Sequence, residues 1–583
     1  MQTVDWIVLI GTLLTIVGYG TYQTRGSKNV QDFLKGGNNS KWWTIGLSVM
    51  ATQASAITFL STPGQAFNDG MGFVQFYFGL PFAMVVICMV FIPLYHKLKV
   101  YTAYEFLESR FDKKTRTLTA ILFLIQRGLA AGITIFAPAI ILSVVLGWNL
   151  ILLNIIIGIL VIIYTVSGGT KAVNVTQKHQ MVVIFTGMVI AFILIMHQLP
   201  ADITFKKAVD IAGASGKMEV IDFSFDLDNR YTIWSGLIGG TFLMLSYFGT
   251  DQSQVQRYLS GKSVKEMQLG LIFNGLLKVP MQFFILFIGV MVFVFYQFNA
   301  SPLNFNPTAT EVVLNSEYAQ DYKNLEKEHA DLFQLKQNLI TDYKDESAPE
   351  ILRITHQVDA NREAAKTLIE KAGQTKKLKV ETNDKDYVFI HFILHNLPRG
   401  LIGLLLAVIL SAAMSSTASE LNALASTTTI DLYQNEDNKK DEKHMLNVSR
   451  VFTLLWGILA IGIACIANLA ENLIQLVNII GSIFYGNVLG IFLLAFFFKH
   501  VKANAVFVSA LITQIIIIAL FGLNEFGIIK LPFLWLNFVG CILAIIIALV
   551  LSIKDSTIKG KGILFTLSGI LIAFGYLIYE NSI

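Results

Sequence analysis

The sequence is poor in charge. Only 14% of its 583 residues are Asp, Glu, Lys or Arg, against 54% hydrophobic, and the mean hydropathy is +0.60. A water-soluble domain of this length does not carry so little charge, so the composition excludes that class. Cysteine is scarce too. Cys88, Cys465 and Cys541 all fall inside apolar runs without metal-ligand spacing, and they read as buried apolar fillers. The first apolar run has its basic flank after it and no small-residue cleavage site, so it reads as a retained helix rather than a signal peptide.

What is present in abundance is apolar runs of membrane-crossing length, about 20 residues each for ~30 Å of hydrocarbon. They lie near 4–23, 42–64, 72–96, 117–146, 149–167, 179–199, 232–250, 270–297, 389–433, 447–467, 472–498, 503–522, 530–552 and 562–580, which predicts about 14 transmembrane helices in the lipid bilayer. The connections after odd-numbered runs are basic, from Arg25, Lys28 and Lys35 through Lys97, Lys99, Lys113, Lys114 and Arg116 to Lys554, Lys559 and Lys561. The alternate connections are short or acidic, with Asp69, Asp222, Asp226 and Glu525. Basic loops stay on the cytoplasmic side. The expectation is therefore a multi-pass protein of the cell (plasma or inner) membrane with both termini outside. The net charge of +4 is then mostly topological, and nucleic acid is not an expected partner.

One segment breaks the pattern. Residues 307–387 are polar, and two stretches, EYAQDYKNLEKEHADLFQLKQNLITDYKD and APEILRITHQVDANREAAKTLIEKAG, have helix-forming composition with apolar residues three and four apart. Ser347, Ala348 and Pro349 separate them, which predicts an extracytoplasmic helical hairpin with a structural role or a surface for a protein partner. It holds no catalytic motif.

Three apolar runs turn polar at mid-depth: SVMATQASAITFLSTPG at 48–64, SYFGTDQSQVQRY at 246–258 and SAAMSSTASELNA at 411–423. Hydrocarbon offers such groups no partners. Singly, each fits a helix interface built from small residues. Together, with the first two opening successive groups of five spans once the first span is set aside, they point to a shared internal site at broken helices. Groups of odd span number must be inverted relative to each other. In SAAMSSTASELNA, Ala412, Ser415, Ser416, Ser419 and Glu420 share one side of a helix and Thr417 points elsewhere. Unwound carbonyls near Ala51 and Ala54 would complete a five-oxygen cage with the Ala412 carbonyl, Ser415 and Ser416. Such a cage, free of carboxylate, suits a monovalent cation better than calcium.

The chain resembles the sodium/solute symporter family, the group of sodium-coupled sugar, sialic acid, iodide, vitamin and monocarboxylate transporters. The matching pieces are KGGNNSKWWTIGLSVMATQASAITFLSTPG, FIPLYHKLKVYTAYEFLESRFD, IIYTVSGGTKAV, TDQSQVQRYLSGKSVKE, SSTASELNALASTTTIDLY and GIFLLAFFFKHVKANA. The resemblance implies an all-α polytopic membrane protein of the leucine-transporter type, a five-plus-five inverted repeat with one preceding and three following helices. On this sequence that gives a peripheral first helix and cytoplasmic loop at 1–41, a first repeat at 42–199, and a second at 232–498 holding the 307–387 insertion. Three peripheral helices follow at 503–583. It implies Na+ as the coupling ion, bound by Ala51, Ala54, Ala412, Ser415 and Ser416, and a solute pocket drawing on Ser55, Thr58, Phe73, Tyr77, Tyr247 and Lys278.

The family pattern is not reproduced throughout. Tyr77 stands where sugar transporters have a glutamate, which argues against a plain hexose. Ala131 stands where sialic acid transporters have an arginine, with Arg127 one turn away on the same face. Lys278 either serves the pocket or snorkels to the cytoplasmic interface. A second sodium site in some relatives uses an aspartate and two hydroxyls, which match Gln177, Ala418 and Ser419 here, so coupling of one sodium per solute is expected. Glu420, on the face of Ser416, pairs with a cytoplasmic basic residue, or restores a cation site with Gln177 and Ser419, or binds a proton.

The expected function is sodium-driven import of a small polar organic solute, an organic anion such as a sugar acid or carboxylate, or a sugar derivative. One sodium ion entering down ~100 mV contributes ~2.3 kcal/mol. A second hypothesis is a membrane sensor reporting to a partner through the hairpin, disfavoured because the chain ends at YENSI without a signalling domain. A channel is the third, disfavoured because a cage between helices is not an open pore.

Overall fold

The computed structural model describes residues 2–24, 39–226, 229–341, 345–434 apart from 377 and 379, 442–467 and 472–552, with the single positions 569 and 572. The run expected at 562–580 and several basic loop residues, among them Arg25, Lys28, Lys35, Lys439, Lys440, Lys554, Lys559 and Lys561, lie outside the described residues. Among those described there is no β-strand, only an isolated bridge between Ser40 and Gly261. Nine helical runs among them are long and apolar enough to cross a membrane.

In chain order the helices are α1 (Thr3–Thr24), α2 (Trp42–Gln53), α3 (Ala56–Asp69), α4 (Leu80–Val86), α5 (Ile92–Leu98), α6 (Glu105–Arg110), α7 (Lys113–Leu146), α8 (Leu150–Gln198) and α9 (Phe205–Ala214). There follow α10 (Gly240–Thr250), α11 (Gln252–Tyr258), α12 (Val264–Phe298), α13 (Pro307–Leu314), α14 (Ala319–Thr341), α15 (Ala348–Thr375) and α16 (Lys385–Asn396). The last are α17 (Leu401–Thr427), α18 (Glu442–Ile466), α19 (Leu473–Phe497), α20 (Ala503–Glu525) and α21 (Phe533–Leu551). A 3-10 segment, Gly70–Tyr77, joins α3 to α4.

One continuous apolar core runs through α2, α3, α7, α10, α12, α17, α19 and α21. The outward faces of α18 and α20 remain apolar and exposed, at Leu455, Ile458 and Ile515 for example, as a lipid-facing surface requires. Helices approach closely where a side chain is missing: a Cβ on Gly289 of α12 would stand 2.2 Å from the Pro63 carbonyl of α3.

α8 is helical over 49 residues, about 74 Å if straight. Yet Asn154 near its start donates to Ala464 O at the end of α18 (3.1 Å), and Gln198 at its end donates to Asn396 O, just before α17. α17 and α18 are antiparallel neighbours, so these two contacts lie on one face of the bundle and the path of α8 reverses between them. This accommodates the two apolar runs, 149–167 and 179–199, in one helical element.

The run expected at 389–433 is two helices rather than one. Pro398 has no N–H to continue α16, and the chain turns through Gly400 at φ +85°, whose N–H donates to Asp5 Oδ1 (2.6 Å). Between α12 and α16, α14 and α15 pair side by side, and a small separate cluster of Leu303, Ala309, Val313, Tyr322, Ala365, Ile369 and Ala372 fixes them. Ion pairs Arg362–Asp384 (2.6 Å) and Lys385–Asp69 (2.7 Å) fasten this hairpin to the bundle.

Candidate functional site

The polar stretches break where their sequence invites it. α2 stops at Gln53, Ala54 leaves the helical region (φ −84°, ψ 70°), Ser55 is extended, and α3 begins at Ala56. A helix end leaves its last carbonyls without intrahelical partners, here among them those of Ala51 and Ala54. α10 and α11 break likewise at Asp251 (φ −78°, ψ 118°), whose carboxylate caps α11 by accepting from Ser253 N (2.9 Å) and Oγ (2.6 Å).

α17 packs against α2 and α3 and is unbroken through 411–423. Ser416 Oγ donates to the carbonyls of Ala412 and Ala413 (both 3.1 Å), while Ser415 Oγ is buried with no hydrogen-bond partner. A buried hydroxyl left in that condition fits a cation ligand. Thr417 turns to Thr134 on α7 (3.1 Å), away from α2.

Gln177 sits between α2 and α17. Its Nε2 donates to Thr52 Oγ1 (3.0 Å) and Ser419 Oγ (3.1 Å), and its Oε1 accepts from Ser48. The amide thus points N–H groups at the hydroxyls that a second cation would need. Glu420 is not part of this cluster: its carboxylate accepts from Arg127 Nη1 (3.0 Å) and Thr134 Oγ1 (2.8 Å). The expected cytoplasmic partner for Glu420 is therefore replaced by a buried arginine midway along α7. Gln177 and Glu420, grouped in the sequence, serve different networks.

Arg127 is the hub of the second network. It also donates to Asp251 and to Tyr485 Oη (2.6 Å), Tyr485 donates to Asp251 (2.9 Å), and the guanidinium lies 5.4 Å from the Tyr247 ring. Its Nε is buried without a partner.

A cavity of about 70 Å3 lies between the two helix breaks. Its wall includes Arg127, Glu420, Gln53, Tyr485 and Met244. Of the six expected solute residues, Ser55, Thr58, Tyr77 and Tyr247 line it. Phe73 does not. It stacks on Phe76 and meets Tyr77 and Tyr231 edge-on, behind the wall, and borders a separate cleft. Lys278 does not line the cavity either. The snorkelling alternative fails as well, because Lys278 is fully buried, with its ammonium 5.8 Å from the Tyr77 ring and without a hydrogen-bond partner. Sequence reasoning missed Asp251 and Tyr485. Asp251 was legible as an acid inside a polar break, whereas Tyr485, in the apolar run of α19, carried no local signal.

An all-helical bundle with paired helix breaks around a small polar cavity defines a membrane transporter. The profile of the sodium:solute symporter family matches residues 33–322 and 365–513, and the chain belongs to that family. Similar proteins include the mouse sodium-coupled monocarboxylate transporter 2, 26% identical over 85% of this chain and 69% of that one. The sodium/sialic acid symporter SiaT of Proteus mirabilis is 26% identical over 88% and 89%. The human sodium/iodide cotransporter is 31% identical over 50% and 45%. The solved outward-open, substrate-bound structure of a Na+-coupled sialic acid symporter shares the fold, with a TM-score of 0.72 at 23% identity over 95% of this chain and 98% of that one. The protein is thus a sodium-coupled symporter, not an enzyme, and Na+ is its coupling ion.

Proposed function

We propose that the chain imports a small organic anion, most simply a short monocarboxylate, with one sodium ion per cycle, by alternating access of a five-plus-five inverted repeat. The observation that carries the reading is the 70 Å3 cavity flanked by both helix breaks and lined by Arg127, whose Nε is buried with no hydrogen-bond partner. An unsatisfied N–H of that kind fits an anionic oxygen. Tyr77, Tyr247 and Met244 give the cavity apolar walls for a short carbon chain. The similar transporters, named for monocarboxylate, iodide and sialic acid, agree with an anion.

Sodium is assigned to the carbonyls of Ala51, Ala54 and Ala412 and the hydroxyls of Ser415 and Ser416. Bound there, it holds the α2–α3 break against α17 and so shapes the cavity wall at Ser55 and Thr58 before the solute arrives. Solute binding then permits closure on one side and opening on the other. In this reading α14 and α15 lie outside the cell, with both termini.

The test is sodium-driven uptake into proteoliposomes of the full chain, with short-chain monocarboxylates, a sialic acid, a hexose and iodide compared. Monocarboxylates should be taken up and should compete with one another. Uptake of the hexose or iodide with no response to any carboxylate would overturn the solute assignment.

A further inference from the structure

A second cavity, of about 50 Å3, lies between the hairpin and the bundle. Its cations come from both sides: Lys217 from the segment after α9, Lys336 from α14 and Arg362 from α15. His329, Lys336, Asp359 and Arg362 all fall in 323–364, a stretch that the family profile does not match, whereas Lys217 lies within the matched residues.

The two lysines are buried, 6% and 5% exposed, and both ammoniums flank one aromatic ring, at 5.2 and 4.9 Å from the centre of Phe293. Lys217 donates to the Asn68 carbonyl. Lys336 has no hydrogen-bond partner among the described residues, and no described carboxylate lies within 4.0 Å of either ammonium. Arg362 is spoken for, bound to Asp384 at 2.6 Å and stacked on Phe305 at 4.9 Å. His329 contacts Ser301 through Nε2 (3.2 Å). That leaves two lysines facing one lining acid, Asp359, which is exposed and pairs with neither. With both lysines protonated the surplus is one positive charge. Burying it unpaired is costly, and a counter-ion removes the cost.

We propose that this cavity binds one small monovalent anion of halide size between Lys217 and Lys336. The volume admits an ion of that size. The site is independent of what the symporter carries. It sits over a close joint: Lys217 O accepts from Met71 N (3.0 Å), and a Cβ at Gly70 (φ +75°) would stand 2.8 Å from Lys217 O, at the start of the segment that carries Tyr77 to the solute cavity. An occupied site holds the hairpin, Lys217 and this segment together.

Two measurements on the full chain test it. Crystals grown with sodium bromide should show an anomalous peak within hydrogen-bond reach of Lys336 Nζ; no peak there, or a peak only in the Arg127 cavity, overturns the proposal. Thermal unfolding in sodium chloride against sodium gluconate, at constant sodium, should show stabilisation by chloride. Lys336→Met and Lys217→Met should each raise the half-saturating chloride concentration about tenfold. An equal chloride response in the native protein and both variants overturns it, and so does stabilisation by sodium acetate but not by chloride.

Discussion

Arg127 and Lys336 are both buried cations, and the protein treats them in opposite ways. Arg127 is surrounded by its own answers, Glu420, Asp251 and Tyr485, each reached from a different helix. Lys336 rests on an aromatic ring with no carboxylate in contact. The first cluster joins Arg127 to partners on three other elements, so it acts as a strut that α7, α10, α17 and α19 share. The second is incomplete. The difference is one of degree: the fold answers Arg127 except at Nε, whereas among the described residues Lys336 has no answer from the protein at all.

The comparison is broken most forcefully at its hub. Arg127→Met leaves Asp251 and Glu420 buried without their cation, a loss of about 3–5 kcal/mol by analogy with other broken buried pairs. The expected outcome is a large fall in thermal stability and loss of uptake. Adding Glu420→Gln should recover part of the stability, because it removes one of the stranded charges; unfolding curves of the single and double variants decide it. If the double variant is no more stable than the single, the strut reading fails.

Next in size is the sodium site. Ser415→Ala with Ser416→Ala should raise the sodium concentration for half-maximal uptake at least about tenfold, the effect of losing ~1.4 kcal/mol of ion binding. The native Hill coefficient for sodium should stay near one, since the Gln177 amide fills the second cluster. A native coefficient near two, or unchanged sodium dependence in the double variant, contradicts the assignment.

The smallest effect belongs to Lys336 itself. Burial first, and the neighbouring Lys217 second, push its pKa down to about 7, with Asp359 opposing. Burial likewise pushes Lys217 down, opposed by Asp359 and Asp69 and reinforced by Arg362 and Lys385. Between about pH 7 and the ordinary lysine range near 10, the unfolded chain then holds a proton that the folded chain does not. Stability in gluconate therefore rises with pH across that window. Lys336→Met should flatten part of the rise and stabilise the protein modestly at pH 7, read from unfolding midpoints between pH 7 and 9. A steeper rise in the variant contradicts the assignment.

Much of the molecule was readable from residue order. Apolar runs too long for a soluble core had to be membrane helices, the hairpin's three-and-four spacing marked α14 and α15, and the small polar residues at 48–64 and 246–258 marked the breaks at Ser55 and Asp251. These are local properties, set by backbone preference and the absence of water, and they need no partner to be recognised. Partnership is another matter. That Glu420 meets Arg127 rather than a loop lysine, that Gln177 answers Thr52 and Ser419, that Lys278 is sealed behind Tyr77, and that Lys336 is buried against Phe293 were decided by tertiary packing alone. A buried charge is stabilised or left wanting by groups hundreds of residues away, and only the fold sets those distances.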